Sequence, residues 1–316
     1  MRLLDRRSRL AARDPAWATI DARRASLGIL VAFLAPALLV YAGFTVYPVI
    51  RTFYNAFHTI KPQGVVEFAG LDNFAALLFT DSTFWKAVTN TALFTIVATI
   101  VDVIGGLLLG LCLFARAPLA PLLRVVWFTP VLMSYVVVGI IWVWMYDYDW
   151  GLANAVLRWL GLSAFEQSWL GQPSTALWSV LVAHEWKWLG FNMIVFLAAL
   201  HALPGEVLGA AELDNCGWFG KFVYIVIPML RTTIVNLLVL SFIGKMMVFD
   251  LIWIMTGGGP LWSTETVSTY VYKRAFEWNT FDLGYPSAIA VLWFIIILAF
   301  IAIVTRLLRQ RDKLEF

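Results

Sequence analysis

Six stretches, at 27–50, 88–115, 125–146, 175–200, 232–255 and 285–305, are apolar for about 20 residues or more, and they limit the fold more than any other feature. A helix rises about 1.5 Å per residue, so about 20 residues cross a hydrocarbon core about 30 Å thick. Backbone groups find no water in lipid, so each run must satisfy its own hydrogen bonds as a helix. The runs are continuous rather than alternating, which argues against a barrel of strands. Charged residues make up only 14% of the 316, against about 25% in an ordinary soluble domain. The expected fold class is all-α, a polytopic membrane protein with six transmembrane helices.

Residues 1–26 form a polar tail rich in arginine, from Arg2 to Arg24. The apolar run behind it is too long for the h-region of a cleaved signal peptide, so it reads as the first span. Six spans put both termini on one side. That side carries 15 Lys and Arg, the opposite loops carry 6, and Lys187 and Lys245 lie inside spans. The bias places both termini and the loop at 201–231 in the cytoplasm. The chain then divides into a tail at 1–26, a membrane domain at 27–305 and a tail at 306–316. The net charge of +3 gives no reason to expect nucleic acid. Cys112 and Cys216 have no metal-ligand spacing and are expected as free thiols.

Several chemistries lack their residues. The two Gly-Lys pairs continue as Phe222 and Met246, so no loop for a nucleotide's phosphates is present. His184-Glu185 is followed by Trp188 where a zinc protease needs its second histidine. No Gly-x-Ser-x-Gly elbow occurs, and with His58, His184 and His201 as the only histidines a catalytic relay has little material. No metal or catalytic residue is expected, and an intramembrane enzyme is a distant alternative.

The loop after the fourth span is the most informative segment. It runs Leu203-Pro204-Gly205-Glu206-Val207-Leu208-Gly209-Ala210-Ala211-Glu212-Leu213-Asp214-Asn215, then through Ile225 to Ile227-Pro228. Gly209, Ala210 and Ala211 make a smooth face that another surface could approach, and Asn215 suits the left-handed turn that ends a short helix. The segment resembles the Glu-Ala-Ala loop of binding-protein-dependent ABC importer permeases. Ala210, Ala211, Asp214, Ile225 and Pro228 fall in register, whereas Gly209 replaces the pattern's Glu and Asn215 its Gly. After residue 28 the chain is similar to the maltose-type branch of carbohydrate permeases. The similarity is carried by Phe68-Ala69-Gly70-Leu71-Asp72-Asn73-Phe74, by Trp142-Val143-Trp144-Met145-Tyr146 and by Thr256-Gly257-Gly258-Gly259-Pro260.

The resemblance implies a permease subunit in a bacterial inner membrane, half of a path for a sugar or oligosaccharide. Its implied partners are a second permease, two ATPases that hold ATP and Mg, and a periplasmic or lipid-anchored substrate-binding protein. This chain itself would carry no cofactor. A coupling helix at about Glu206–Asn215 would sit in an ATPase cleft, with Glu206, Gly209, Ala210, Ala211, Asp214 and Asn215 at the contact. The positions matching the maltose permease's sugar site are Val131, Tyr135, His184, Lys187, Trp188, Phe191, Ser241, Gly244 and Lys245. From the residues alone, His184, Lys187, Trp188 and Phe191 share one helical face, which suits a cavity better than lipid.

Two alternatives stay open within transport. Lys187 and Lys245 suggest an acidic sugar or glycerol phosphate, unless Lys187 snorkels outward and Lys245 pairs with Asp250 or another neighbour. Asp102, Glu185 and Asp250 are the carboxylates an ion-driven carrier would use as relays, although Glu185 and Asp250 lie nearer span ends, where hydration explains them. Gly106 and Gly110 form a small-x-x-x-small pair that suits close helix packing.

Overall fold

The structure, a computed structural model, describes residues 27–60, 65–115, 118–214, 216–278 and 282–309. The N-terminal tail at 1–26, Asn215 and the C-terminal tail beyond 309 lie outside the described residues. The chain divides into two compact units at Tyr54 and Asn55. In the first unit, α1 (Leu27–Tyr41) continues through a π-helical turn at Ala42–Val46 into α2 (Tyr47–Ala56). Val31–Ala56 is apolar and long enough to cross a membrane.

The second unit opens on a small antiparallel hairpin, β1 (His58–Ile60) and β2 (Val66–Phe68), with His58 opposite Phe68. This hairpin is the one departure from an all-helical chain among the described residues. Asn73, in α3 (Asp72–Phe79), ties it down by donating to the carbonyls of Ala56 and His58, each at 3.1 Å.

Helix α4 (Ser82–Phe114) is 33 residues long, about 50 Å of helix. Asp81 caps it, accepting from the Phe84 backbone N–H at 2.9 Å. Its partner is α8 (Ala176–His201). A Cβ on Gly106 would lie 2.5 Å from the Asn192 Cβ, and one on Gly110 would lie 3.1 Å from the Phe196 Cβ. The two backbones touch because those positions have no side chain, so the glycine pair packs helices within this subunit.

The expected span at 125–146 is not one helix. It is α5 (Ala120–Leu132) and α6 (Tyr135–Met145), bent by 105°. Pro130 lacks the N–H that would continue the hydrogen-bond ladder. Ser134 then starts the next helix, accepting from the Val137 N–H at 3.3 Å. The expected span at 232–255 also breaks, into α12 (Arg231–Met246) and α13 (Asp250–Met255). Between α6 and α8 lies α7 (Leu152–Trp159).

Helix α8 turns by 73° into α9 (Gly205–Leu213), a helix starting one residue before the expected Glu206 and ending two before Asn215. Pro204 caps α9 rather than entering it. The chain returns through α10 (Trp218–Lys221), a π-helical turn at Phe222–Val226 and α11 (Ile227–Met229), then bends by 66° into α12. Two further helices, α14 (Val267–Tyr272) and α15 (Gly284–Arg309), complete the unit. Helix α15 runs four residues past the expected end of the last span. Three helices are long and apolar enough to cross a membrane, and six crossings result when each bent pair counts as one.

Apolar side chains of α4, α6, α8 and α13 form one core, with Phe94, Val138, Val180 and Leu251 fully buried. A second joins α4, α8 and α12 through Leu107, Phe196, Leu200 and Leu237.

Candidate functional site

A cavity of about 400 Å³ lies among α4, α6, α8 and α12. Tyr135, His184, Trp188, Phe191, Ser241, Gly244 and Lys245 line it, together with Asp102, Asn192 and Leu240. Seven of the nine sequence-derived path positions are therefore brought together. Val131 and Lys187 are not among its lining residues.

Lys187 explains the exception. At 100° per residue it falls about 60° to one side of His184, while Trp188 falls about 40° to the other. Its ammonium turns toward the end of α5 and donates to the carbonyls of Pro130, Val131 and Met133 at 3.3, 3.0 and 2.6 Å. A helix C-terminus leaves carbonyls unsatisfied and carries about half a negative charge. Lys187 supplies three protons and a positive charge at that spot, and its Nζ also lies 5.0 Å from the Tyr135 ring centre. It is buried rather than snorkelling. Trp188 donates from Nε1 to the Tyr135 hydroxyl at 2.8 Å, which joins α8 to α6 across the break.

Lys245 pairs with Asp102, not Asp250. Both are buried, and Ser241, one turn before Lys245, donates to the same carboxylate oxygen of Asp102 at 2.9 Å. This contact ties α12 to the middle of α4. An unpaired lysine at mid-membrane costs about 2.5–3.5 kcal/mol or more, so the pairing makes the cation tolerable there. Glu185 is buried as well, so hydration at a span end does not explain it; His184 Nδ1 lies 3.1 Å from its Oε1. The carboxyls of Asp102 and Glu185 also share a side-chain hydrogen bond, and the side-chain oxygen of Asn192 is buried without a hydrogen-bond partner among the described residues.

The aromatic residues supply flat apolar faces and the acids and amide supply acceptors. Neither Asp102 nor Asn192 belonged to the path positions read from the resemblance. Asp102 was visible as a carboxylate in mid-span, and Asn192 stands one turn after Trp188. Leu240 carried no signal, since a leucine in an apolar run is ordinary.

The loops at the N-terminal end of α4 form a separate polar cluster. Asp81 accepts from the hydroxyls of Tyr270 and Tyr285 at 2.5 and 2.6 Å and from Arg274 at 3.4 Å. Burial alone would raise its pKa, but these hydrogen bonds and the Phe84 N–H hold it below the usual aspartate value. Glu265 pairs with Lys273 at 2.5 Å. Burial pushes the Glu265 pKa up despite that pairing. Gly258, at φ +85°, leaves the room that Glu265 fills, since a Cβ there would lie 1.9 Å from Oε2.

On the loop after α8, Ala211 is buried, and Val207, Leu213, Trp218, Phe219 and Tyr224 are exposed. A Cβ on Gly209 would meet nothing within 4 Å. Glu206 lies in the first turn of α9, where negative charge is favoured. The helix closes at Asp214, whose N–H bonds the Ala210 carbonyl at 3.0 Å. Glu212 and Lys221 bridge α9 and α10 at 2.7 Å. Of the expected coupling positions, only Asn215 is outside the described residues.

The chain is 32% identical, over 92% of its length and 96% of the relative's, to the trehalose/maltose transport system permease protein MalF of Thermococcus litoralis. It is 32% identical, over 90% of its length and 91% of the relative's, to the sulfoquinovosyl glycerol transport system permease protein SmoG of Agrobacterium fabrum. Its fold matches a chain of a bacterial alginate ABC transporter solved with an alginate pentasaccharide-bound periplasmic protein. The TM-score is 0.78 at 23% identity, covering 90% of this chain and 95% of that one. Residues 102–313 match the family described as binding-protein-dependent transport system inner membrane component. With two thirds of its length inside that match, the chain belongs to this family of ABC transporter permeases.

Proposed function

We propose that this chain is one permease subunit of an ATP-driven importer and forms half of the path for a sugar or oligosaccharide delivered by an external binding protein. The observation that carries the reading is the cavity itself. Tyr135, Trp188 and Phe191 offer faces for sugar rings beside buried oxygen acceptors and a serine hydroxyl. The named functions of the relatives, trehalose/maltose and sulfoquinovosyl glycerol transport, support it.

The remaining parts follow from that reading. A second permease would complete the path, and two ATPases would hold ATP and Mg. The binding protein would dock outside, whether free in the periplasm or lipid-anchored. Both termini would be cytoplasmic, so that α9 reaches an ATPase and is moved by it, with Glu206, Gly209, Ala210, Ala211 and Asp214 at the contact and Asn215 just beyond. The path positions would be the cavity-lining set, with Val131 and Lys187 behind it. The two lysines give an acidic substrate no particular support, since Lys187 is engaged by carbonyls and Lys245 by Asp102.

Purification through a tagged copy tests the assembly: the expected co-purifying proteins are a second permease and an ATPase. Sugar uptake should stop when the ATPase is deleted and should survive a protonophore. Uptake that persists without the ATPase and stops with the protonophore overturns the reading. Labelling of 201–231 by a reagent confined to the periplasm overturns the orientation.

A further inference from the structure

Two buried carboxyls meet behind the cavity wall. Glu185 of α8 and Asp102 of α4 share a side-chain hydrogen bond, and both residues are buried. Asp102 lines the cavity, whereas Glu185 is not among its lining residues. A hydrogen bond needs a proton, and two carboxylates have none to give. No amine, amide or hydroxyl donor among the described residues reaches Oδ1 of Asp102 or Oε2 of Glu185. The proton in the bond therefore belongs to one of the two acids, as in pairs of close carboxyls that share a single proton.

The neighbours decide which acid holds it. Oδ2 of Asp102 accepts from the Lys245 ammonium and from the Ser241 hydroxyl, and both donors favour the ionised form. Glu185 is bonded to no lysine or arginine among the described residues, and its Oε1 lies 3.1 Å from Nδ1 of His184. With the proton on Glu185 and His184 neutral, Asp102 and Lys245 cancel and the buried group carries no net charge. A proton on His184 instead gives the same sum, but it sets two carboxylates side by side where like charges disfavour ionisation of both. Lys187 does not answer them, since its ammonium is directed at three carbonyls at the end of α5.

Resting on the reading of this cavity as a sugar path, we propose that Glu185 is a positioning residue, a neutral acid that donates its proton to Asp102 and so fixes Asp102, Lys245 and Ser241 on the cavity wall. Glu185 itself touches no substrate. It reaches Asp102 from α8 as Lys245 and Ser241 reach it from α12. Three of the four helices around the cavity are thereby held at one carboxylate.

The test is infrared spectroscopy on the full transporter, both permeases with their ATPases in nanodiscs, at neutral pH, where exposed carboxyls are ionised. A protonated Glu185 gives a carboxylic acid C=O band that shifts in heavy water. That band should appear in the difference between wild type and Glu185→Gln, and should move when glutamate side chains carry carbon-13. Sugar uptake per assembled transporter is the second readout. Glutamine has the shape and charge of the neutral acid and its amide can donate to Asp102, so Glu185→Gln should keep most of the uptake. Glu185→Met removes the donor and should lower uptake by about tenfold or more, the size of one charge-assisted hydrogen bond. If Glu185→Gln does not assemble, the band is read against Glu185→Met. A band lost in neither variant, or one that moves with labelled aspartate in place of glutamate, overturns the proposal. So does a Glu185→Met variant that transports like the wild type, or a Glu185→Gln variant as impaired as Glu185→Met, and in each case the sugar path stands. The band with no sugar uptake in the wild type overturns the sugar path, and the positioning role with it, but leaves the shared proton.

Discussion

The ammonium of Lys245 on α12 meets the carboxylate of Asp102 on α4, a residue 143 positions earlier, with both groups buried in the membrane domain. Removing one partner of a buried pair strands the other charge, at about 3–5 kcal/mol. Lys245→Met should therefore lower the melting temperature of the purified complex sharply. The double variant with Asp102→Asn should recover much of that loss. Equal melting temperatures for the two variants would show that the pair does not couple α4 to α12.

Lys187 should act as a brace, not as a substrate ligand. Hydrogen bonds to a charged group contribute about 1.5–3 kcal/mol each, and Lys187 makes three. Lys187→Met should destabilise the fold by about 3 kcal/mol or more and reduce uptake, while Lys187→Arg should retain part of both. The ratio of neutral to acidic sugar bound should be unchanged in either. A melting curve of Lys187→Met that overlays the wild type would remove the brace.

Two glycines should respond oppositely to alanine. At Gly106 the new Cβ would sit 2.5 Å from the Asn192 Cβ, so α4 and α8 must separate; at Gly244 it would meet nothing within 4 Å. Overpacking of a tight contact costs about 1–3 kcal/mol. Gly106→Ala should reduce the amount of folded protein in the membrane. Gly244→Ala should leave it unchanged and weaken uptake by narrowing the cavity. Comparing membrane yield with transport per molecule separates the two effects.

Acid should loosen the N-terminal end of α4. The Asp81 pKa is held below its ordinary value of 3.8 by Tyr270, Tyr285, the Phe84 N–H and Arg274, which together outweigh burial. A depressed carboxylate pKa contributes stability that is present above the unfolded value and is lost as pH falls through the folded one. Hydrogen exchange around 81–85 should therefore rise below pH 3.8 in the wild type. Asp81→Asn should already exchange faster at neutral pH and should lack that acid step. An acid step of the same size in the variant would assign it to another group.

Much of the membrane architecture was legible because hydropathy accumulates residue by residue along a helix. The runs at 88–115, 175–200 and 285–305 emerged as α4, α8 and α15 with small shifts at their ends. The run at 125–146 concealed a 105° bend, because an average over apolar residues does not register the missing N–H of Pro130 or the cap at Ser134. The aromatic and polar stripe of α8 was readable from its spacing, which grouped His184, Trp188 and Phe191. Spacing alone did not tell that Lys187, at the edge of the same stripe, turns to the end of α5.

The amino-acid order by itself determined that the chain is built of apolar helices long enough for lipid and that a short helix follows the fourth apolar run. These are properties of single residues and of neighbours three or four apart. Only the tertiary structure decided that Asp102 and not Asp250 answers Lys245, and that the Pro130 break is closed by a lysine from another helix. A buried charge takes the partner that packing brings within reach, and which helices face each other is set by contacts such as those of Gly106 and Gly110 of α4 against α8.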